Sequence, residues 1–312
     1  MSTLRALTLW QSRTIGHTLP ASLRCRLGLG LLYNPYHTET RHTRVYKLQS
    51  RSTHGPIIAS PSNLTNQWCR KYSSHVKQDR GSKMDGHVFF FDVDNCLYSK
   101  KTGIPQLMNE RIEKYFRDSG IPSDEVKTLA HRYYVDYGLA IRGLVERHPE
   151  VGIPIDIRDY DNKVDGALPL ETLLKENQAL RSMIHSMDVG KKWLFTNAGE
   201  THAKRVIRIL GLEGLFDGIT FCNYLERQFV CKPDKKAFER AMVQAGVLSP
   251  DLCYFVDDSA ANIEMATKIG WTTVHLNEEP TGSALLGNFQ IQSIMELPNV
   301  MPQFWDHRRG SL

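Results

Sequence analysis

Two of this chain's close carboxylate pairs directly follow apolar runs: Asp92 and Asp94, one residue apart, and the adjacent Asp257 and Asp258. Between them lie Thr196-Asn197 and Lys232-Pro233, and Asp257-Asp258 continues into Ser259-Ala-Ala-Asn262. Carboxylates from two separate strands make a hard oxygen cage suited to Mg2+, which keeps some of its waters and takes few protein ligands. A hydroxyl (Thr196), an amide (Asn197) and an ammonium (Lys232) nearby supply donors for an oxyanion such as phosphate. Taken singly these residues are ordinary. Lys232 alone reads as a solvated lysine, Thr196 as a strand-end hydroxyl, Asp257 as a helix cap, and Ser259 or Asn262 as turn residues.

Three apolar runs must position these groups. Val88 to Phe91 breaks abruptly into Asp92, Lys192 to Phe195 into Thr196, and Cys253 to Val256 into Asp257. Short continuous apolar runs read as strands buried on both faces, as in parallel α/β sheets. Ligands of such sheets sit beyond the carboxyl ends of the strands. Helical patterns alternate with these runs: from about Thr201, closed by Gly211; after Pro233, closed by Gly246; and Ile263 to Ile269, closed by Gly270. Short strands are expected at Ile219–Cys222 and Thr272–Leu276. The alternation predicts a Rossmann-like parallel sheet with right-handed crossovers. Residues 104–188 read as an inserted, all-helical segment. One helix follows Pro105, a second runs from an N-cap at Ser123 through Leu144 until Pro149, Gly152 and Pro154, a polar passage spans Asp156 to Asp165, and a shorter helix covers Ala179 to Met187. The expected division is a leader over 1–83, an α/β core over 84–103 and 189–300, a helical cap over 104–188 and a tail over 301–312; in the weakly patterned stretch beyond Asn277, Ile291, Ile294 and Leu297 suit one more short helix.

The ordered set D-x-D, strand-end T-N, K-P and D-D-S-x-x-N resembles the haloacid dehalogenase-like hydrolase superfamily over nearly all of residues 87–276. D-x-D and K-P are each common; four motifs in order at the right strand ends are specific. Phe90-Phe-Asp-Val-Asp-Asn-Cys-Leu-Tyr98, Tyr137-Gly-Leu-Ala-Ile-Arg-Gly-Leu144 and Val256-Asp-Asp-Ser-Ala-Ala-Asn-Ile263 look like the fungal pyrimidine 5′-nucleotidases of that superfamily. The resemblance implies that Asp92 is a nucleophile forming an aspartyl-phosphate. It implies that Asp94 protonates the leaving alkoxide and then deprotonates water. Mg2+ would be held by Asp92, the backbone carbonyl of Asp94 and Asp258, with Asp257 alongside. Thr196 and Asn197 would hold phosphoryl oxygens, and Lys232 would neutralise the phosphate and orient Asp92. The helical insertion would be a cap that closes over the site. Tyr133, Tyr137 and Arg142 are candidates to contact the leaving group, although both tyrosines also suit the core of a helical bundle. Cys96 reads as packing beside the nucleophile.

The implied activity is Mg2+-dependent hydrolysis of pyrimidine nucleoside 5′-monophosphates, UMP and CMP. Lysophosphatidate and pyridoxal phosphate are alternative substrates, because the core motifs do not choose the leaving group. A carbon–halogen hydrolase is disfavoured by Asp94 and the Asp257/Asp258 pair, since halide departure needs neither metal nor acid. A phosphate-binding regulator without turnover is the reading from another class. No G-x-G-x-x-G follows the first strand, which disfavours a dinucleotide-dependent oxidoreductase.

Composition bounds the rest. Of the formal charge of +5, residues 1–83 alone carry +11, thirteen basic residues against Glu39 and Asp79, which leaves −6 on the remainder. The basic character belongs to the leader, so no nucleic-acid face is expected on the folded body. That leader suits a mitochondrial presequence, a disordered extension or an upstream start ahead of Met84. The expected location is cytoplasmic, with the nucleus also open, or mitochondrial if the leader acts as an address. The six cysteines show no C-x-x-C spacing, which fits a reducing compartment. No apolar stretch reaches the roughly 20 residues needed to span a bilayer. The expected partner is a small phosphomonoester, with neither nucleic acid nor membrane; the oligomeric state is not legible.

Overall fold

A computed structural model describes residues 84–148, 157–226, 230–280 and 285–305. The expected leader, the breakers Pro149, Gly152 and Pro154, and the last seven residues of the expected tail lie outside the described residues. Strand β1 (Val88–Phe91) is the centre of a six-stranded parallel sheet with β2 (Lys191–Phe195), β3 (Gly218–Thr220), β4 (Cys253–Asp257), β5 (Thr272–Leu276) and β6 (Phe289–Ile291), in the order β3-β2-β1-β4-β5-β6. All four β1 residues are buried, because both faces of the sheet are covered. Alternation sends Phe89 and Phe91 to one face and Val88 and Phe90 to the other. Beneath one face, Phe90 stacks on Trp271 at 4.5 Å, and Phe238 of α8 (Lys235–Ala245) meets Phe195 at 5.1 Å. Helix α9 (Ala260–Lys268) covers the same side with Ile263 and Ala266. On the other face lie α6 (Gln178–Ser186), α7 (Glu200–Ile209) and Phe304, whose ring sits edge-on to Phe89 at 5.5 Å.

The expected insertion divides by its packing. Helices α1 (Ile104–Asp118), α2 (Val126–Tyr137), α3 (Ala140–Arg147) and α4 (Ile157–Lys163) build a second cluster around Phe116, Tyr133, Ile141 and Leu144. Leu168 to Met187, including α5 (Leu170–Leu173), instead joins the cluster beside β1. The sheet needs apolar cover on that face, and these leucines supply it. For the same reason Met301 and Phe304, placed by sequence in a tail, are fully buried against the sheet. Within the Asp-rich passage, Ile157–Lys163 is helical as α4, with Tyr160 turned inward, while Asp156 lies outside the described residues. Strand β6 went unforeseen, being three residues long, and Leu297 opens α10 (Leu297–Val300). Among the described residues, no helix is long and apolar enough to cross a membrane.

The single helix expected from Ser123 to Leu144 is two. It starts at Val126, after a turn in which Pro122 O accepts from both Glu125 N and Val126 N, and no side chain caps it. It ends at Gly138, which is left-handed (φ 76°). The close return of α3 is possible because Gly143 lies against Tyr133, where an added Cβ would come within 2.2 Å of the ring. Gly138 itself touches the core. A Cβ there would lie 2.0 Å from the carbonyl oxygen of Lys232.

Gly103 is equally left-handed (φ 80°), but a Cβ added there would meet nothing within 4 Å, so it isolates the backbone cost. Gly103→Ala is expected to lower the unfolding free energy by ~1–2 kcal/mol. Gly138→Ala adds the clash with Lys232, a further ~1–3 kcal/mol. Equal losses in urea denaturation would contradict the tight elbow.

Candidate active site

The site is built where β1, β2 and β4 stop. Asp92 follows β1 directly, and its N–H extends the ladder to Val256 O at 3.0 Å. Asn95, in the left-handed region (φ 59°), reverses the chain, so that Val93 O accepts from Cys96 N and Leu97 N. Asp94 is thereby turned back over the strand ends. Cys96 is buried, its thiol toward Val256 O, and packs as expected.

Lys232 is the hub. Its ammonium is 1% exposed and donates to Asp92 Oδ1 (2.7 Å), Asp257 Oδ2 (2.6 Å) and Phe195 O (2.7 Å), so all three donors are used. The Phe195 and Phe255 rings lie 5.0 and 5.3 Å from the same nitrogen. Burial disfavours the charged lysine, but Asp257 and Asp92 outweigh it and raise its pKa. Asn197 fixes this residue from the backbone: its Oδ1 accepts from Lys232 N (2.8 Å), and its Nδ2 donates to Lys232 O (2.8 Å) and Gly138 O (3.4 Å). The Lys232–Pro233 bond is cis.

Asp257 is saturated. It accepts from Lys232, from Ser259 N (2.7 Å) and from Asn262 Nδ2 (3.0 and 3.1 Å). The Asp258 carboxylate pairs with Lys100 at 2.9 Å and opens to the cavity. One carboxylate oxygen each from Asp92, Asp257 and Asp258 lie within 4.8 Å of one another. Three carboxylates against the single buried ammonium leave an excess of negative charge. Burial, countered by Lys232 and reinforced by Asp257 and Asp258, pushes the Asp92 carboxyl well above its ordinary value. Burial and Asp257, countered by Lys100, push Asp258 up to about 6. An oxygen-rich donor set with more negative charge than its one ammonium offsets fits a hard divalent cation.

Asp94 belongs to a different network. Its Oδ1 accepts from Tyr98 OH (2.6 Å) and pairs with His202 Nε2 (2.7 Å). Burial opposes, yet His202 dominates and lowers the Asp94 pKa; burial likewise opposes in His202, where Asp94 raises the imidazole to about 9. Behind them burial lifts Asp165 to about 6, and Asp165 accepts from Tyr224 OH at 3.2 Å. Sequence reasoning missed His202, Tyr98 and Asp165. The available signal was a histidine inside the buried stripe of α7, beside Ala203 and Val206.

Asp92, Asp94, Thr196, Asn197, Lys232 and Asp258 all border one cavity of about 540 Å3, with α1 and α2 as the facing wall. Thr196 Oγ1 accepts from Ala198 N (3.0 Å), which leaves its hydroxyl proton to donate. The Asn197 side chain is committed to the Lys232 loop rather than offered to a ligand. Tyr137 and Arg142, expected at the leaving group, do not line the cavity. Arg142 pairs with Asp234 (2.6 Å) and Glu146 (2.9 Å), and Tyr137 O accepts from Cys231 Sγ (3.3 Å). Both fasten the elbow between α2 and α3 to the Lys232 loop. Tyr133 is buried in the helical cluster.

The His202 pKa is raised from 6.5, so the pairing contributes stability that is complete below about 6.5 and is lost as pH rises through about 9. His202→Gln is therefore expected to cost on the order of 3 kcal/mol near pH 6. The cost should vanish above about pH 9, read as the difference in Tm from the parent chain. A pH-independent difference would contradict the ion pair.

Comparisons with known proteins fix the family. Phosphate metabolism protein 8 of Saccharomyces cerevisiae is 38% identical over 203 residues, 62% of this chain and 62% of that protein, so the match spans under two thirds of the relative's length. Among solved structures, a HAD phosphatase from Thermococcus onnurineus aligns over 69% of this chain and 97% of its own, at 16% identity and a TM-score of 0.41. The L-2-haloacid dehalogenase of Xanthobacter autotrophicus, with chloropropionic acid covalently bound, aligns over 69% and 98%, at 11% identity and a TM-score of 0.45. The model of the haloacid dehalogenase-like hydrolase family matches residues 87–270, and the chain belongs to that family of hydrolases.

Proposed function

We propose that this hydrolase is a Mg2+-dependent phosphomonoesterase for pyrimidine nucleoside 5′-monophosphates, acting through an aspartyl-phosphate on Asp92. The observation that carries the reading is the meeting of Asp92, Asp257 and Asp258 carboxylate oxygens within 4.8 Å of one another, with the buried Lys232 pairing the first two, beside a cavity large enough for a substrate. Asp92 and Asp258 would hold the metal with the Asp94 carbonyl, and Asp257 would orient Lys232 behind them. When bound, Mg2+ supplies the positive charge that lets carboxylate and phosphate approach.

In the first step an Asp92 oxygen bonds to phosphorus as the ester P–O bond breaks, and the departing alkoxide takes a proton from the Asp94–His202 pair. In the second step water attacks phosphorus and gives a proton back to that pair. The P–O bond to Asp92 breaks, and inorganic phosphate is released. Lys232 keeps Asp92 aligned throughout, and Thr196 donates its hydroxyl to a phosphoryl oxygen.

A second reading has an observation of its own. Ile104, Met108, Ile112 and Leu139 give the cavity an apolar side that suits an acyl chain, as in lysophosphatidate. Phosphate release from UMP, CMP and lysophosphatidate separates the two. The nucleotides are expected to be turned over with Mg2+ and not with EDTA. Asp92→Asn is expected to lose at least about 10³-fold in kcat, the scale of removing an essential member of a catalytic set. Turnover confined to the lipid would remove the nucleotide reading, and full activity in EDTA the metal.

A further inference from the structure

Helix α2 presents one stripe to the cavity, formed by Lys127, His131 and Tyr134 at helical spacing. None of the three side chains has a hydrogen-bond or ion-pair partner among the described residues. Elsewhere in this helical layer Lys114, Arg117, Arg142 and Lys163 are ion-paired, so these three are free to meet a ligand. Tyr134 is 54% exposed, and its ring is open to the cavity rather than to the helical core, which its neighbour Tyr133 occupies. It borders the same cavity as Asp92 and Asp258.

The orientation of α2 is fixed at its other end. Gly138, just past its last residue, touches Lys232 and Asn197. At a rise of 1.5 Å per residue, Tyr134 stands about 6 Å up the helix from Gly138, His131 about 10 Å and Lys127 about 16 Å. The three therefore form a ladder leading away from the point where phosphorus would react. Ile112 and Met108 of α1 line the same space.

We infer that Tyr134, His131 and Lys127 form the leaving-group subsite, and that it takes a planar ring bearing carbonyl acceptors in preference to an acyl chain. Tyr134 gives a π-face for such a ring. His131 and Lys127 give N–H donors for acceptors at its far edge. An acyl chain in the same place would strip water from these donors and return no hydrogen bond. The inference rests on the phosphomonoesterase reading and adds the residues that choose the substrate. Arg142 and Tyr137, engaged at the elbow, are left to hold the helix in place.

The test uses the full chain with Mg2+ and three substrates: UMP, ribose 5-phosphate, which has the sugar without the ring, and lysophosphatidate. The measured quantity is kcat/KM for UMP divided by that for ribose 5-phosphate. Tyr134→Ala is expected to lower this ratio at least tenfold, mainly through KM for UMP, and Tyr134→Phe, which keeps the ring, less than threefold. His131→Ala should lower it about threefold to tenfold, and Lys127→Ala least, because it stands furthest along the ladder. An unchanged ratio in Tyr134→Ala and His131→Ala, with UMP still turned over by the parent chain, overturns the subsite and leaves the phosphatase. A parent chain that prefers lysophosphatidate to UMP overturns the subsite in the same way. If the parent chain hydrolyses none of the three, the phosphomonoesterase reading falls and the subsite with it.

Discussion

A buried ammonium between two buried carboxylates is the constraint on which this structure depends. Lys232, Asp92 and Asp257 come from three segments far apart in sequence, and none of them would be tolerated alone at such depth. Placing Lys232 there requires a loop whose backbone is held by Asn197, itself the residue at which β2 hands over to α7. Placing Asp92 requires β1 to be central and covered on both faces, which explains its run of three phenylalanines. Placing Asp257 requires β4 beside β1 in register, with Phe91 opposite Val256. The sheet is thus the frame that brings the charges together, and its aromatic layers keep water from them.

The same lysine joins the helical cluster to the sheet. The α2–α3 elbow lies on its carbonyl, Arg142 reaches Asp234 two residues beyond it, and Cys231 just before it bonds to Tyr137 O. The helical layer is therefore tied to the catalytic floor at one corner, and α2 rises from that corner along the cavity. An arrangement of this kind couples where the leaving group rests to where Lys232 holds Asp92. The Asp94–His202 pair sits apart from the lysine network, which allows a proton to be handled beside an anion without disturbing it.

Much of this was legible in the chain itself. Apolar runs that end in Asp, Thr or Asp betray both the strand and its carboxyl end, so Asp92, Asp94, Thr196, Lys232 and Asp258 could be placed at one site before any coordinates. The partners of Asp94 could not. His202 shows only as a histidine in the buried stripe of α7, and sequence spacing carries no trace of the carboxylate it meets. Asn197 was assigned to the right place for the wrong task, because an amide offers the same atoms to a backbone as to a phosphate. Tyr137, still on α2, does not line the cavity, and the assignment of Arg142 failed on one residue, Gly138. It ends a helix that periodicity alone carries through, and everything after it faces a different direction. Met301 and Phe304 looked like a tail because a few apolar residues without a period give no sign of the face they will cover.

The central claim is that Asp92, steadied by Lys232, itself takes the phosphoryl group. Acid quenching during turnover of UMP, borohydride reduction and peptide mass spectrometry test it directly, since an acyl phosphate is reduced to the alcohol while a free carboxylate is not. The account predicts homoserine at position 92 in the quenched enzyme and none without substrate. Steady phosphate release with Asp92 unreduced, or reduction at another carboxylate, would contradict it.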